Sequence, residues 1–121
     1  MKAYLLALVV FFSGISLAQA KESDNNKIKA IKIKTTAQCG QCKERIEKAL
    51  AYEKGVKSSN LDLETRVLTV VYNSKKTTET KVRTVIAKLG YDADDVKKDM
   101  KAYKNLPACC KLPSDPDYRG H

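Results

Sequence analysis

Tryptophan is absent from this chain of 121 residues, and histidine occurs once, at the last position. A His-rich metal site and a Ser/His/Asp catalytic set are both excluded, because neither can be assembled around one terminal imidazole. His121, next to Gly120, reads as a chain end rather than a ligand. No glycine-rich phosphate loop is present, and no enzyme is expected. Acidic residues are few: 14 Asp and Glu stand against 23 Lys and Arg, a formal +9. Phenylalanine is confined to Phe11 and Phe12, and proline to Pro107, Pro113 and Pro116. The length allows one small domain and little else.

There is one long apolar run. Behind Lys2, residues 3–12 are apolar without interruption, and small residues then lead to Ala18-Gln19-Ala20. A positive start, a short apolar stretch and an A-x-A exit mark a secretory signal peptide over residues 1–20, cleaved after Ala20. The run is short for a bilayer span of about 20 residues, and a polar linker, residues 21–27, follows it. Position 21 is Lys rather than Cys, so lipid modification after cleavage is not expected. The product is expected to be a periplasmic or secreted monomer with no membrane span. Losing Lys2 lowers the 23 basic residues by one against 14 acidic ones, and the formal charge from +9 to +8. Export takes that charge away from nucleic acid, and no aromatics interleave with a single basic stripe. The charge is assigned to solubility or to an acidic partner.

Within the remaining chain the period of the apolar residues alternates between two and 3.6. Ile31 and Ile33 alternate with Lys32 and Lys34, the pattern of a half-buried strand. From Cys42 the spacing becomes helical through Ile46, Ala49 and Leu50, and Gly55 supplies a left-handed stop; a helix over 41–53 is expected. Glu44 and Lys48 stand in the favourable i,i+4 order. Residues 56–63 and 67–72 read as two strands joined by a hairpin at Glu64-Thr65-Arg66. Val82, Val85, Ile86 and Leu89 make a second amphipathic helix, closed by Gly90. Strand, helix, strand, strand, helix is the beginning of an α+β, ferredoxin-like βαββαβ sandwich. The fourth strand, due at Tyr91, is weak or very short, since Asp92-Ala93-Asp94-Asp95 suits it poorly. Asp94 or Asp95 reads as the N-cap of an additional C-terminal helix with Val96, Met100 and Tyr103 on one face. An irregular tail follows from Pro107.

Four cysteines carry the chemistry. Cys39-Gly40-Gln41-Cys42 lies where the first strand gives way to the first helix, and two intervening residues let both sulfurs point at one centre. Free backbone N–H groups and the helix dipole favour thiolate there, and Lys43 and Arg45 bring positive charge into the neighbourhood. Gly40 leaves the loop room to wrap an ion. Thiolate pairs select soft or borderline metals, Cu(I), Zn(II) or Hg(II). A single C-x-x-C also serves redox enzymes and plain disulfides. A structural zinc site wants four ligands, and Cys109-Cys110 in the tail offers two more sulfurs. In an oxidising compartment, tail-to-loop pairing or a Cys39–Cys42 bond are the oxidised forms free of strain.

Residues 31–50, with Ile31, Ile33, the Cys39-Gly40-Gln41-Cys42 loop and Ile46-Glu47-Lys48-Ala49-Leu50, resemble the heavy-metal-associated domain. Copper chaperones, the N-terminal modules of metal-exporting P-type ATPases and the periplasmic mercury-binding protein belong to that family. The resemblance continues through Lys54-Gly55-Val56-Lys57, Asp62-Leu63-Glu64-Thr65, Leu68-Thr69-Val70 and Lys88-Leu89-Gly90-Tyr91-Asp92-Ala93. It implies a ferredoxin-like domain over 28–94, with 95–121 an added helix and Cys-containing tail. It implies metal ligation by Cys39 and Cys42, and it places Tyr91 beside the metal site, where a plain core tyrosine is the competing reading. The family usually carries Gly-Met before the loop, where this chain has Thr36 and Ala37. That methionine packs under the loop, so its replacement is expected to reshape the site rather than abolish it.

The function expected from these residues is capture of a soft ion and its transfer, by thiolate exchange, to a metal transporter or metal-ATPase domain. The alternatives are a thiol–disulfide oxidoreductase and a disulfide-stapled extracellular module. The missing tryptophan counts against the first, since redox enzymes of the thioredoxin type usually carry one before their motif.

Overall fold

A computed structural model describes residues 27–120. The expected signal peptide, residues 1–20, the expected linker as far as residue 26, and His121 lie outside them. The alternation in 28–34 builds β1 (Ile28–Lys34), and the two central strands of sequence become β2 (Val56–Asp62) and β3 (Val67–Asn73). All pairing is antiparallel, in the order β1-β3-β2. Register aligns Ile33 and Leu61 with Leu68, and Ile31 and Ser59 with Val70. Ile33, Leu61, Leu68 and Val70 are thereby buried on one face, and Lys32 and Lys34 point out of it. A type of pairing in which β-branched and leucine side chains meet directly across strands is what stabilises such a sheet.

Helix α1 (Gly40–Ala51) buries Cys42, Ile46 and Leu50, each four residues from the last, and packs over β2. Its ion pair is Lys43–Glu47 at 2.9 Å; the expected Glu44–Lys48 pair is not formed among the described residues. Helix α2 (Glu79–Lys88) is capped by Thr78, whose hydroxyl accepts from the Lys81 N–H, and it buries Val82, Ile86 and Ala87. Both helices cover the same face of the sheet and close one core. Among the described residues no helix is long and apolar enough to cross a membrane.

The architecture is the expected ferredoxin-like one, with its fourth strand reduced to a single bridge between Ala93 and Thr35. The cause is Asp94. Its N–H donates to the Lys34 carbonyl at 2.9 Å, while its carboxylate accepts from the Lys34 N–H at 2.8 Å and from Arg83 at 3.0 Å. The side chain thus takes the place of the next ladder partner, and a φ of +52° turns the chain away. Asp94 and Asp95 therefore do not start the third helix. Asp99 does, accepting from the Ala102 N–H at 3.0 Å ahead of the five-residue α3 (Met100–Lys104). Val96 precedes this helix, bonded back to Ala93, and Met100 is mostly exposed; Tyr103 alone of the three expected positions is buried on it.

Candidate metal centre

The segment joining β1 to α1 is held by threonines. Thr35 donates from its hydroxyl to the Arg66 carbonyl and accepts from the Ala37 N–H, and Thr36 accepts from the Asp92 N–H at 3.0 Å. These bonds pin both sides of the loop, one to the β2–β3 turn and the other to the residue after Tyr91. Ala37, where the resemblance led one to expect a methionine, is fully buried in the core. Cys39 then adopts an extended backbone (φ −147°) at the N-cap of α1, with no side-chain acceptor supplied to the helix amides. Orphan N–H groups at a helix start favour an anion, and the groups nearest in sequence that can supply one are the two thiols.

The tail reaches this loop. α3 docks against the end of α2 through the Asp99 N–H to the Ala87 carbonyl, 2.9 Å. At Gly90, φ is +106°, and a Cβ there would stand 2.9 Å from the Tyr103 backbone. Only glycine permits that approach. The Tyr103 hydroxyl accepts from the Leu112 N–H and donates to Asp115, both at 2.9 Å, which folds the chain after Pro107 back on itself. A short 3-10 turn, Ala108–Cys110, results. Its turn lies against α1.

All four cysteines are thiols and their sulfurs are neighbours. Cys39 Sγ lies 3.4 Å from Cys42, 3.6 Å from Cys109 and 3.6 Å from Cys110; Cys109 and Cys110 are 3.9 Å apart. Cys39, Cys42 and Cys110 are buried, with their sulfurs all within 4.8 Å of one another, and Cys109 is half-buried. Burial raises the Cys110 thiol far above its ordinary pKa, and the nearby Cys42 thiol adds to the shift. Burial thus keeps the Cys110 thiol protonated, and any metal bound there would have to displace that proton. Tyr91 is 1% exposed, and its hydroxyl has no partner at full hydrogen-bonding geometry. Burial, and then the adjacent thiols of Cys42 and Cys110, hold it in the protonated phenol form.

The structure thus brings together Cys39, Cys42, Cys109, Cys110 and Tyr91. It turns Lys43 toward β2: the ammonium donates to the Leu61 carbonyl at 2.7 Å and to Asn60 at 2.9 Å. Arg45 is on the exposed face. The positive charge expected beside the sulfurs is spent on β2 and on solvent. Thr35 and Thr36 carried no signal of their role in the sequence, and Gly90 was legible only as the end of α2, since each also acts on a residue more than ten positions away.

Residues 34–92 match the model of the heavy-metal-associated domain. Among solved structures, a CopZ metallochaperone is similar at 29% identity and a TM-score of 0.52, over 54% of this chain and 98% of its own. The N-terminal domain of a potential copper-translocating P-type ATPase from Bacillus subtilis, solved in its Cu(I)-loaded state, is similar at 26% identity and 0.53, over 55% and 85%. Oxidized MerP from Ralstonia metallidurans CH34, at 24% identity and 0.53 over 55% and 94%, shares the fold. None of the curated proteins matches. The match ends before α3, so Cys109 and Cys110 lie outside it.

Proposed function

Because residues 34–92 are a heavy-metal-associated domain, we propose that this chain is an exported protein that binds a soft metal ion through Cys39 and Cys42 and hands it on by thiolate exchange. The observation that carries this reading is the pair of sulfurs 3.4 Å apart, one at the cap and one in the first turn of α1. Such a pair supplies soft donors, and the uncapped amides of the helix start favour the negative charge that the thiols acquire on binding. Cu(I), Hg(II) and Zn(II) all suit it. The partner is a metal transporter or a metal-ATPase domain, and copper-translocating ATPase modules are among the structures this chain resembles. Transfer proceeds as each sulfur of the partner replaces Cys39 or Cys42 in turn, so the ion is never released to water. Residues 1–20 direct the chain out of the cytoplasm and are removed after Ala20.

The test is metal loading. The reduced protein should bind one soft ion, measured by metal analysis after desalting, and a Cys39→Ser, Cys42→Ser form should bind none tightly. Equal stoichiometry in the two would refute the loop as the site. Export is checked separately, by whether the periplasmic or secreted protein begins at Lys21.

A further inference from the structure

A family site of two loop sulfurs does not account for a third, buried sulfur reaching it from residue 110. We propose that Cys110 is the third ligand of a buried trithiolate site completed with Cys39 and Cys42, and that Cys109, at its rim, is the thiol through which the ion enters and leaves. The proposal rests on the reading of Cys39 and Cys42 as ligands and extends it to the tail.

The separations favour three sulfurs over two. With a metal–sulfur bond of about 2.3 Å, a linear pair needs its sulfurs about 4.6 Å apart and a trigonal set about 4.0 Å. Cys39 stands 3.4 Å from Cys42 and 3.6 Å from Cys110, and the three lie within 4.8 Å of one another. For a trigonal ion the two separations from Cys39 must widen by only about 0.4–0.6 Å, whereas a linear Cys39–Cys42 pair must be spread by about 1.2 Å, twice as much. The tail sulfur is also built in rather than laid on. Tyr103, Gly90 and Asp115 fix the turn that carries it, and Cys110 is 1% exposed.

A second observation points into the same place. The Tyr91 hydroxyl is buried and adjoins the Cys42 and Cys110 thiols without reaching full hydrogen-bonding geometry with either. A thiol is a poor acceptor, but a metal-bound thiolate is a good one. The unfilled donor becomes satisfied when an ion replaces the thiol protons. Cys109 differs from the other three in being half-buried, and it touches both Cys39 and Cys110. It can therefore take an ion from outside and share it with the buried set. As Cys39, Cys42 and Cys110 bind the ion, all of its bonds to the donor break, whatever their number. The displaced thiol protons leave to solvent, and the ion keeps its oxidation state.

The experiment uses the full reduced chain with one equivalent of Cu(I), handled without oxygen. X-ray absorption should count three sulfur neighbours per copper in the wild type and two in Cys110→Ser. Competition with a chromophoric Cu(I) chelator should show an affinity loss on the order of a hundredfold in Cys110→Ser, at least the upper end of what losing an outer-shell partner costs. Cys109→Ser should keep three sulfurs and exchange copper with the chelator about tenfold more slowly. Two sulfurs in the wild type, or an unchanged affinity in Cys110→Ser, overturns the proposal. Circular dichroism guards against a misfolded variant, and the wild-type sulfur count decides without any variant. If Cys39→Ser, Cys42→Ser loses copper while the wild type counts two sulfurs, the tail ligand alone falls. If that double variant binds as the wild type does, the reading beneath it falls too.

Discussion

A phenolic hydroxyl left without an acceptor inside a protein costs about 1–3 kcal/mol, and Tyr91 carries one among thiols. Tyr91→Phe should therefore raise the stability of the ion-free protein by about 1 kcal/mol, read from urea unfolding, while weakening Cu(I) binding by about tenfold. A stabilised variant with unaltered copper affinity would make Tyr91 a core residue and nothing more. Its neighbour responds in the opposite way. Gly90→Ala combines a φ of +106° with a 2.9 Å approach to the Tyr103 backbone, and unfolding should show a loss of about 2–3 kcal/mol. Cys39 and Cys42 were legible as a pair because three positions on one turn leave little freedom in where two sulfurs point. Cys110 was legible as a cysteine but not as a neighbour, since its place depends on a glycine twenty residues earlier whose role is to lack a side chain.

At the scale of elements, local preference and long-range pairing compete for the same aspartates. Asp94 has the sequence context of a helix cap, yet its carboxylate is claimed by the Lys34 N–H and by Arg83, groups contributed by β1 and α2. Asp99, without such a claimant, caps α3. Local pattern was sufficient for β1, α1, β2, β3 and α2, where hydrophobic period and burial agree, and it failed where a side chain stands in for backbone. Asp99→Ala should cost about 1 kcal/mol and speed hydrogen exchange in 100–110 while the sheet amides stay protected. The tail has an acid limit as well. Asp115 is held below the ordinary carboxylate range by the Asp117 N–H and by the Tyr103 hydroxyl. A depressed carboxylate contributes its stability above the unfolded value, about pH 4, and loses it as pH falls through the lowered folded value. Amides of 108–112 should remain protected at pH 5 and open in stronger acid, and Asp115→Asn should abolish that dependence.

At the scale of the described residues, a ferredoxin-like domain has its cysteine loop covered by its own C-terminal segment. Without the tail, Gly90 would lose the cover of Tyr103, and Cys39 and Tyr91 would lose the neighbouring Cys110 thiol. Ending the chain at Lys98 should therefore lower the melting temperature of the ion-free protein and accelerate copper release to a chelator, two effects that a detachable tail would not produce together. Cys39 and Cys110 stand 71 positions apart, yet their sulfurs touch. Contacts of such sequence separation close late, after the local elements that carry them have formed. A refolding chain given Cu(I) should consequently bind it first through the neighbouring pair and gain the third sulfur only as tyrosine fluorescence completes its change. On the proposal above, three-sulfur binding becomes a signature of finished folding: a chain still unfolded, or nicked between α2 and the tail, should hold an ion loosely, and the intact protein should keep it.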